Sequence, residues 1–321
     1  MKKEFIEQNL NNVLTETNFE KLGEKKAGKV RDGYFSEDTV AFITTDRQSA
    51  FDQVLASIPF KGQVLNQVSA WWFERTKDIV DNHVLDVPDP NVMVGKRCAA
   101  FPFEVVVRGY LTGSTATSVW TNYKKGMREF CGHKLPDGMR KNQAFDHPIV
   151  TPSTKFEAHD RNISPEEILQ ENMATKQEWK IISEAALKLF AWGQETAKAH
   201  RLILVDTKYE FGKDRNGKIL VIDEIHTPDS SRYWLADTYQ ERFASSEEPD
   251  NIDKEFLRLW FKKRCDPYHD PVLPEAPKEL IIELSHRYIK LYEMITGLEF
   301  RVTDEPILQR LEKNLQKYGY L

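Results

Sequence analysis

A group of charged residues lies where two apolar runs follow each other in the third quarter of the chain. The first run carries Asp206, Lys208 and Glu210, spaced two residues apart, and the second carries Asp223. Because side chains alternate between the faces of a strand, the three residues of the first run share one face. Three carboxylates and one ammonium suit phosphoryl chemistry, in which Mg²⁺ and a lysine offset the charge of phosphate oxygens. A solvent-exposed hairpin with Lys208 as its internal counterion is the alternative.

The register of these two runs decides which charges meet. The runs, 202–211 and 218–225, flank an Asn-Gly pair at 216–217, which predicts a hairpin with a two-residue turn. In that register Glu210 lies directly opposite Asp223. Like charges opposite each other destabilise a sheet, so we expect a cation to offset the repulsion between these two carboxylates.

Two polar loops have the composition of a phosphate-monoester site. Ser230 and Arg232 follow the second run, and Arg108 and Ser114 lie in a glycine-containing stretch further upstream. An arginine can bind phosphate with two charge-assisted hydrogen bonds, while serine hydroxyls add neutral ones. Taken alone, the loop that carries Ser230 and Arg232 is more typical of an ordinary turn into a helix, and a flexible glycine turn at a domain junction is an equal alternative for the loop that carries Arg108 and Ser114.

Weaker signals lie elsewhere in the chain. The glycine-flanked basic segment 28–33 could form a hairpin over a triphosphate, although it is neither a Walker A sequence nor GxGxxG. The polar loop 46–52 follows a predicted strand, the usual position of a substrate-binding loop. His159 and Asp160 could be metal ligands, a general base or a hydrogen-bonded structural pair.

The surrounding pattern predicts the elements that must position these residues. Strands are predicted at 29–35, 39–45 and 101–107, and a domain boundary near 100–104. Thr175 and Glu178 form a capping-box pattern at the start of a helix over 176–199, and Ser164 precedes another helix start. Further helices are predicted around 64–72, 253–262 and 277–296.

Composition narrows the class of protein. The chain has 321 residues, 40% of them hydrophobic and 30% charged, which predicts a globular protein of about two domains. A net charge of −5 argues against nucleic-acid binding through bulk electrostatics. The sequence shows neither a secretory h-region nor an apolar run long enough for a membrane span, and its three cysteines form no CxxC pair. We therefore expect a cytoplasmic protein with reduced, buried thiols, and take a monomer as the working expectation.

The combined order of motifs is more specific than any one of them. GKVRD, TTDRQSAFD, KGQVLNQVS, FEVVVRGYLTGS, TPSTK, LVDTKYEFG and DEIHTPDSSRYW resemble the SAICAR synthetase family of purine biosynthesis between about residues 22 and 242. The resemblance implies a two-lobed α+β fold related to ATP-grasp enzymes and kinases. The implied parts are a mostly β nucleotide-covering domain at 1–104, an α+β catalytic and substrate domain at 105–242, and a helical extension at 243–321.

The resemblance also implies a reaction and its participants. ATP, with Mg²⁺, would phosphorylate the carboxylate of carboxyaminoimidazole ribotide (CAIR), and the amino group of L-aspartate would then displace phosphate to form the amide. Small molecules would be the partners, without nucleic acid or membrane. A kinase that stops at phosphorylation is the main alternative, because it uses the same phosphate machinery. A non-catalytic nucleotide sensor would not need the converging carboxylates and Lys208.

Carried over motif by motif, the resemblance implies individual roles. Lys208, Asp206 and Asp223 would be catalytic, and Asp206, Glu210 and Asp223 would hold the metal. The substrates would be bound by Arg108, Ser114, Ser230, Arg232, Ser49, Asp52, Glu104 and Asp160. The nucleotide would be bound by Gly28, Lys29, Val30 and Arg31, and by Ala100, Phe101 and Phe103.

Overall fold

The computed structural model describes residues 1–51, 53–157, 160–303 and 305–321. The strands are β1 Glu24–Ala27, β2 Arg31–Phe35, β3 Thr39–Thr44, β4 Arg47–Ala50, β5 Gln53–Ser57, β6 Val84–Asp89, β7 Val92–Lys96, β8 Ala99–Ala100, β9 Phe103–Leu111, β10 Glu129–Phe130, β11 His133–Lys134, β12 Gln143–Thr154, β13 Leu202–Lys213, β14 Ile219–Ile222 and β15 Ser231–Leu235. The helices are α1 Lys3–Gln8, α2 Lys61–Thr76, α3 Val119–Lys124, α4 Pro165–Gln170, α5 Lys176–Ala199, α6 Ala236–Ala244, α7 Glu255–Lys262, α8 Lys278–Thr296 and α9 Ile307–Lys317.

The chain forms two compact units. One contains residues 1–74, 83–97 and 252–321, and the other contains residues 75–82 and 98–251. The helices after residue 252 thus belong to the same unit as the N-terminal strands. This grouping by contacts does not test the functional division at residues 104 and 242, which stays a prediction.

The first unit is built on an antiparallel sheet in the order β1-β2-β3-β7-β6. Alternate residues of its central strands, such as Ile43 and Val92, point to one face and are fully buried. Helix α9 covers this face with Leu311 and Leu315, which are also fully buried. The sheet therefore completes its core only with a helix from the far end of the chain.

The second unit is built on a sheet in the order β12-β9-β13-β14, with β8 and β15 also paired to β13. Helix α5 packs against β13 and begins with the predicted capping box, in which Thr175 and Glu178 bond each other's backbone N–H groups. The predicted capping box at Ser164 is also present, at the start of α4. Strand β13, which carries most of the predicted catalytic residues, is thus held on both edges and on one face.

The predicted two-residue hairpin turn is wrong. Glu210 pairs with Ile222 rather than with Asp223, so the register differs by one residue. The cause lies in the turn: Asp214 accepts backbone hydrogen bonds from residues 216 and 218, and only Gly217, at φ 77°, is left-handed. A two-residue type I′ turn needs positive φ at both central residues. The longer connection therefore shifts the partner of every residue in β14.

The thiols and the helices bear on two smaller predictions. The cysteines Cys98, Cys131 and Cys265 are free, as predicted, but they are partly exposed rather than buried. Among the helices in the described part of the chain, none is long and apolar enough to span a membrane.

Candidate active site

The ammonium group of Lys208 lies among three carboxylates. Its Nζ atom is 2.5 Å from Glu210 Oε1, 3.2 Å from Glu104 Oε1 and 3.4 Å from Asp223 Oδ2. Lys155 forms an ion pair with the other oxygen of Glu210. We call these five side chains, Glu104, Lys155, Lys208, Glu210 and Asp223, the lysine cluster. It carries three negative and two positive formal charges on strands β9, β13 and their neighbours.

The protonation state of Lys208 is fixed by this surrounding charge. Burial alone would lower its pKa, but Glu104, Glu210, Asp223 and the nearby Glu224 outweigh that effect and raise the pKa well above its usual value. Lys208 therefore stays a cation at neutral pH. It can stabilise negative charge, whereas a general base would need a free amine.

Asp223 reaches the cluster through an unusual backbone conformation. Strand β14 ends at Ile222, and Asp223 itself has φ 68°, in the left-handed region that non-glycine residues seldom adopt. The shifted register would otherwise place this residue on the opposite face from Glu210. The turn of the chain at Asp223 compensates for the shift, so the predicted meeting of Glu210, Asp223 and Lys208 occurs by a different route.

Asp206 belongs to a second group of charges. It is the cross-strand partner of both Arg108 on β9 and Arg232 on β15, so the three residues form a row across the sheet. Asp206 Oδ2 lies 2.7 Å from Arg232 Nη1 and 3.5 Å from Arg108 Nη1. All three side chains are at most 10% exposed. We call this row the arginine pair with Asp206; in it two guanidinium groups face one carboxylate.

Two predicted phosphate loops end at this row. A Cβ atom built on Gly113, which has φ 106°, would lie 3.1 Å from Arg232 Nη2, so the loop that carries Ser114 passes close to that guanidinium. Ser230 is fixed by its carbonyl oxygen, which accepts from the backbone N–H of Lys208 at 2.9 Å. Arg108 donates from Nε to Thr151 Oγ1 at 2.8 Å. The structure thus brings Arg108 and Arg232 together, with both serine loops adjacent.

The basic segment 28–31 lies in the first unit, in the turn between β1 and β2, and ends at the first residue of β2. Gly28 N–H donates to Arg31 O at 2.8 Å, which closes a tight turn. The carbonyl oxygens of Gly28, Lys29 and Val30 all accept hydrogen bonds from residues 45 and 47. The predicted hairpin of this region is confirmed for β2 and β3, whereas β1 was not predicted.

The other predicted nucleotide segment runs through β8 into β9. Ala100 is exposed and pairs with Gly212, while Phe101 and Phe103 are buried with their ring centroids 5.6 Å apart. The backbone N–H of Phe101 donates to Phe211 O at 2.9 Å. A contact to adenine would therefore fall to other backbone groups of the segment.

Two further predicted substrate residues, Ser49 and Asp160, are not members of the lysine cluster or of the arginine pair with Asp206. Ser49 is buried in β4 of the first unit. Asp160 is exposed in the connection between β12 and α4. Asp52 lies outside the described residues, and so does His159, which precedes Asp160 in the sequence. The roles predicted for Asp52 and His159 stay predictions.

The predicted metal ligands are divided between the two groups. Glu210 and Asp223 meet in the lysine cluster, whereas Asp206 is held by arginines. Within the described ranges, we find no group of three or more His, Cys, Asp and Glu side chains arranged to hold a metal. A Mg²⁺ ion bound here would therefore take some of its ligands from phosphate oxygens or water, as this ion usually does.

Sequence reasoning missed three residues of the site. Lys155 pairs with Glu210, Thr151 bonds Arg108, and Glu224 accepts a hydrogen bond of 2.5 Å from Thr227 Oγ1 beside the serine loop. Lys155 and Thr151 are the two ends of the TPSTK motif, and Glu224 follows Asp223 directly. The motifs were visible, but only the strand pairing shows which of their side chains face the site.

Comparison with known proteins adds an independent line of information. Residues 24–274 match the family model described as SAICAR synthetase. The phosphoribosylaminoimidazole-succinocarboxamide synthase of Legionella pneumophila (strain Paris) is 58% identical over 307 residues, which are 95% of this chain and 98% of that protein.

Two solved structures resemble the fold. The SAICAR synthase of Saccharomyces cerevisiae complexed with SAICAR is 32% identical, has a TM-score of 0.75, and the match covers 90% of this chain and 100% of that one. A SAICAR synthetase structure described as Type-2, in complex with ADP, is 26% identical with a TM-score of 0.67, and the match covers 87% of this chain and all of the other. The predicted α+β fold is confirmed.

Proposed function

The chain belongs to the SAICAR synthetase family, and on this premise we propose that the lysine cluster is its reaction centre. The protein is an ATP-dependent ligase of purine biosynthesis that joins L-aspartate to CAIR and gives SAICAR. The observation that carries the proposal is the position of Lys208, whose ammonium lies within 3.4 Å of three carboxylates. A CAIR carboxylate placed beside it would contact this ammonium, and Mg²⁺, when bound, would offset the charge of the surrounding carboxylates.

The proposed reaction has two steps. A CAIR carboxylate oxygen forms a bond to the γ-phosphorus of ATP while the bond from that phosphorus to the ADP oxygen breaks. The aspartate nitrogen then attacks the carboxyl carbon, and the carbon–oxygen bond to phosphate breaks as the amide forms and the amine loses a proton. Lys208 acts in the first step by offsetting the negative charge of the approaching carboxylate and phosphate.

Glu210 and Asp223 are proposed as the protein ligands of Mg²⁺. Both present hard carboxylate oxygens beside Lys208, which is the donor type that this ion prefers. When bound, Mg²⁺ supplies further neutralisation of phosphate charge. Asp206 is the less suitable ligand, because both arginines compete for its carboxylate.

The arginine pair with Asp206 is proposed to bind the phosphate of the ribotide. The two guanidinium groups lie side by side in a buried position, and guanidinium is the donor type that binds phosphate with paired charge-assisted hydrogen bonds. Asp206 and Lys208 are two residues apart on β13, so the two groups lie about 6–7 Å from each other along one strand face. One small molecule could contact both.

The 28–31 segment is proposed to cover the ATP phosphates, with Lys29 and Arg31 as cationic contacts. Backbone of the 100–103 segment is proposed to contact adenine. The structure solved with ADP in this family supports nucleotide binding as such. It leaves the individual contacts of this chain as proposals.

The decisive experiment follows phosphate release by the purified protein with ATP, Mg²⁺, CAIR and L-aspartate. Release should require both CAIR and aspartate and should match SAICAR formation mole for mole. A kinase would instead release no phosphate and would accumulate a phosphorylated product when aspartate is omitted. Phosphate release that is independent of CAIR and aspartate would contradict the ligase mechanism.

The proposed phosphate site is tested by Arg232→Lys. Lysine keeps the charge but loses the planar pair of donors. The value of kcat/KM for CAIR should therefore fall by a factor that corresponds to about 1.5–3 kcal/mol, while the KM for ATP stays near that of the wild type. Arg215→Lys, in the exposed hairpin turn, is the matched control. An equal loss of ATP and CAIR affinity would contradict a role specific to the ribotide.

A further inference from the structure

Arg47 lies at the start of β4, and its side chain binds backbone carbonyl groups of the 28–31 segment. Its Nη2 atom donates to Gly28 O at 2.9 Å, and its Nε atom donates to Lys29 O at 3.3 Å. Its Nη1 atom donates to Thr15 O. All three nitrogen atoms of the guanidinium are therefore used, and two of them hold the same short segment.

The guanidinium is itself held in place by Asp32. Arg47 Nη2 also lies 2.8 Å from Asp32 Oδ1, and the carboxylate is fully buried. The other oxygen of Asp32 accepts from Thr17 N and Thr17 Oγ1, each at 2.9 Å. Burial alone would raise the pKa of Asp32, but the hydrogen bonds from Arg47 and Thr17 outweigh it and lower the pKa. The pair is thus a charged, fixed support.

Thr45, in the connection between β3 and β4, also holds the 28–31 segment. Thr45 donates to Val30 O from its backbone N at 3.0 Å and from Oγ1 at 2.6 Å. The carbonyl oxygens of three successive residues, 28 to 30, are thereby directed toward the β3–β4 connection. A carbonyl oxygen turned toward a phosphate would repel it, whereas N–H groups and basic side chains attract it.

We propose that Arg47 is a positioning residue for the nucleotide: it directs the carbonyl oxygens of the 28–31 segment away from the ATP phosphates. The inference rests on the proposed role of that segment as the phosphate cover. Arg47 is not expected to touch the reacting atoms. Its effect should therefore appear in the use of ATP and not in the use of CAIR.

Arg47→Lys is the informative substitution, because one ammonium cannot reach acceptors spread around a planar guanidinium. We expect the KM for ATP to rise about tenfold and the KM for CAIR to change less than about twofold. Amide hydrogen exchange at residues 28–31 should become faster. Arg97→Lys is the matched control, since Arg97 also donates to a hairpin carbonyl, Ser36 O at 2.6 Å, and should leave all three quantities unchanged.

Lys29→Ala, measured beside Arg47→Lys, separates the proposed phosphate cover at residues 28–31 from the positioning role of Arg47. A higher KM for ATP in both Arg47→Lys and Lys29→Ala supports the inference. A raised value in Lys29→Ala alone overturns the role of Arg47 and leaves the phosphate cover standing. Unchanged ATP use in Lys29→Ala overturns both. Equal changes in every KM together with a lower melting temperature would show a general folding defect in Arg47→Lys and would also overturn the inference.

Discussion

Arg232 and Asp206 are direct cross-strand partners on β15 and β13, joined by a hydrogen bond of 2.7 Å in the interior of the second unit. Arg108, the partner of Asp206 on the other side, shares the same carboxylate. Burial lowers the pKa of the Arg108 guanidinium, and the neighbouring Arg232 adds to that effect while Asp206 opposes it. One carboxylate thus keeps two buried cations side by side.

Asp206→Asn should destabilise the free protein, because it leaves Arg108 and Arg232 without their shared counter-charge. Breaking a buried ion pair costs about 3–5 kcal/mol, so the free energy of unfolding should fall by that order. Inorganic phosphate should stabilise the variant more than the wild type, because an anion between the arginines replaces the lost charge. Melting curves in chloride and in phosphate measure this. Asp237→Asn, at an exposed ion pair with Arg201, should change little.

Asp223→Asn should separate metal binding from stability. The lysine cluster has three carboxylates and two ammonium groups, so losing one negative charge balances it, and the free protein should unfold no earlier than the wild type. The stability gained from Mg²⁺ with ATP should shrink and turnover should fall strongly, because a proposed metal ligand is lost. Melting curves with and without Mg²⁺–ATP, beside turnover, provide the measurement. Normal turnover with a normal Mg²⁺ response would contradict the metal assignment, and Asp137→Asn on the surface is the control.

His226 should make the protein sensitive to acid. It is fully buried, burial lowers its pKa to about 3, and its Nε2 lies 2.5 Å from the hydroxyl of Tyr209. The unfolded chain binds a proton near the ordinary pKa of about 6.5, whereas the folded protein does not, so stability falls as pH drops below 6.5. Between pH 7 and pH 5 this group should remove about 2 kcal/mol.

The measurement compares urea unfolding of wild type and His226→Gln at both pH values. The variant should lack that part of the pH dependence, whatever its stability at pH 7. If the free energy of unfolding changes equally between pH 7 and pH 5 in the two proteins, the prediction is wrong, because His226 would then bind its proton in the folded state as it does in the unfolded chain. His200→Gln provides the control, because its burial is only partial.

The hairpin turn can be tested by two neighbouring substitutions. Gly217→Ala should cost about 1–2 kcal/mol, because alanine is unfavourable at φ 77°, although the position is open and nothing would clash with a Cβ atom. Asn216→Ala should change the free energy of unfolding by less than about 0.5 kcal/mol, because this residue does not have positive φ. A two-residue turn would make both substitutions costly. Denaturant midpoints distinguish the two turns, and turnover should be nearly unchanged in both variants.

Features decided by a few adjacent residues could be predicted from the sequence. The capping box of Thr175 and Glu178 needs only a hydroxyl and a carboxylate three residues apart, and both hydrogen bonds are present. The apolar run 202–211 predicted a strand, the spacing of two predicted that Lys208 and Glu210 share a face, and these two side chains do meet. Local geometry was sufficient in both cases.

Features that depend on strand order could not be predicted in this way. The sequence groups Asp206 with the other carboxylates because spacing alone does not show its neighbours on β9 and β15, which are arginines in the structure. Lys155 and Glu210 are 55 residues apart and meet only because the sheet brings β12 near β13. The register error at Glu210 arose from the side chain of Asp214, whose turn-forming hydrogen bonds were not considered.

The first unit combines residues from both ends of the chain, 1–74 and 83–97 with 252–321, and this affects how the newly made chain folds. Residues 98–251 leave the ribosome as one stretch, so the lysine cluster and the arginine pair can form early. The sheet that carries the 28–31 segment must wait for α9, whose Leu311 and Leu315 complete its core and whose Arg310 bonds the buried Asp89. At about 5–20 residues per second, synthesis of the residues after 251 takes roughly 3–14 seconds. During that interval the sheet that carries the proposed phosphate cover is unfinished, so we expect ATP turnover to begin only after α9 has packed against it.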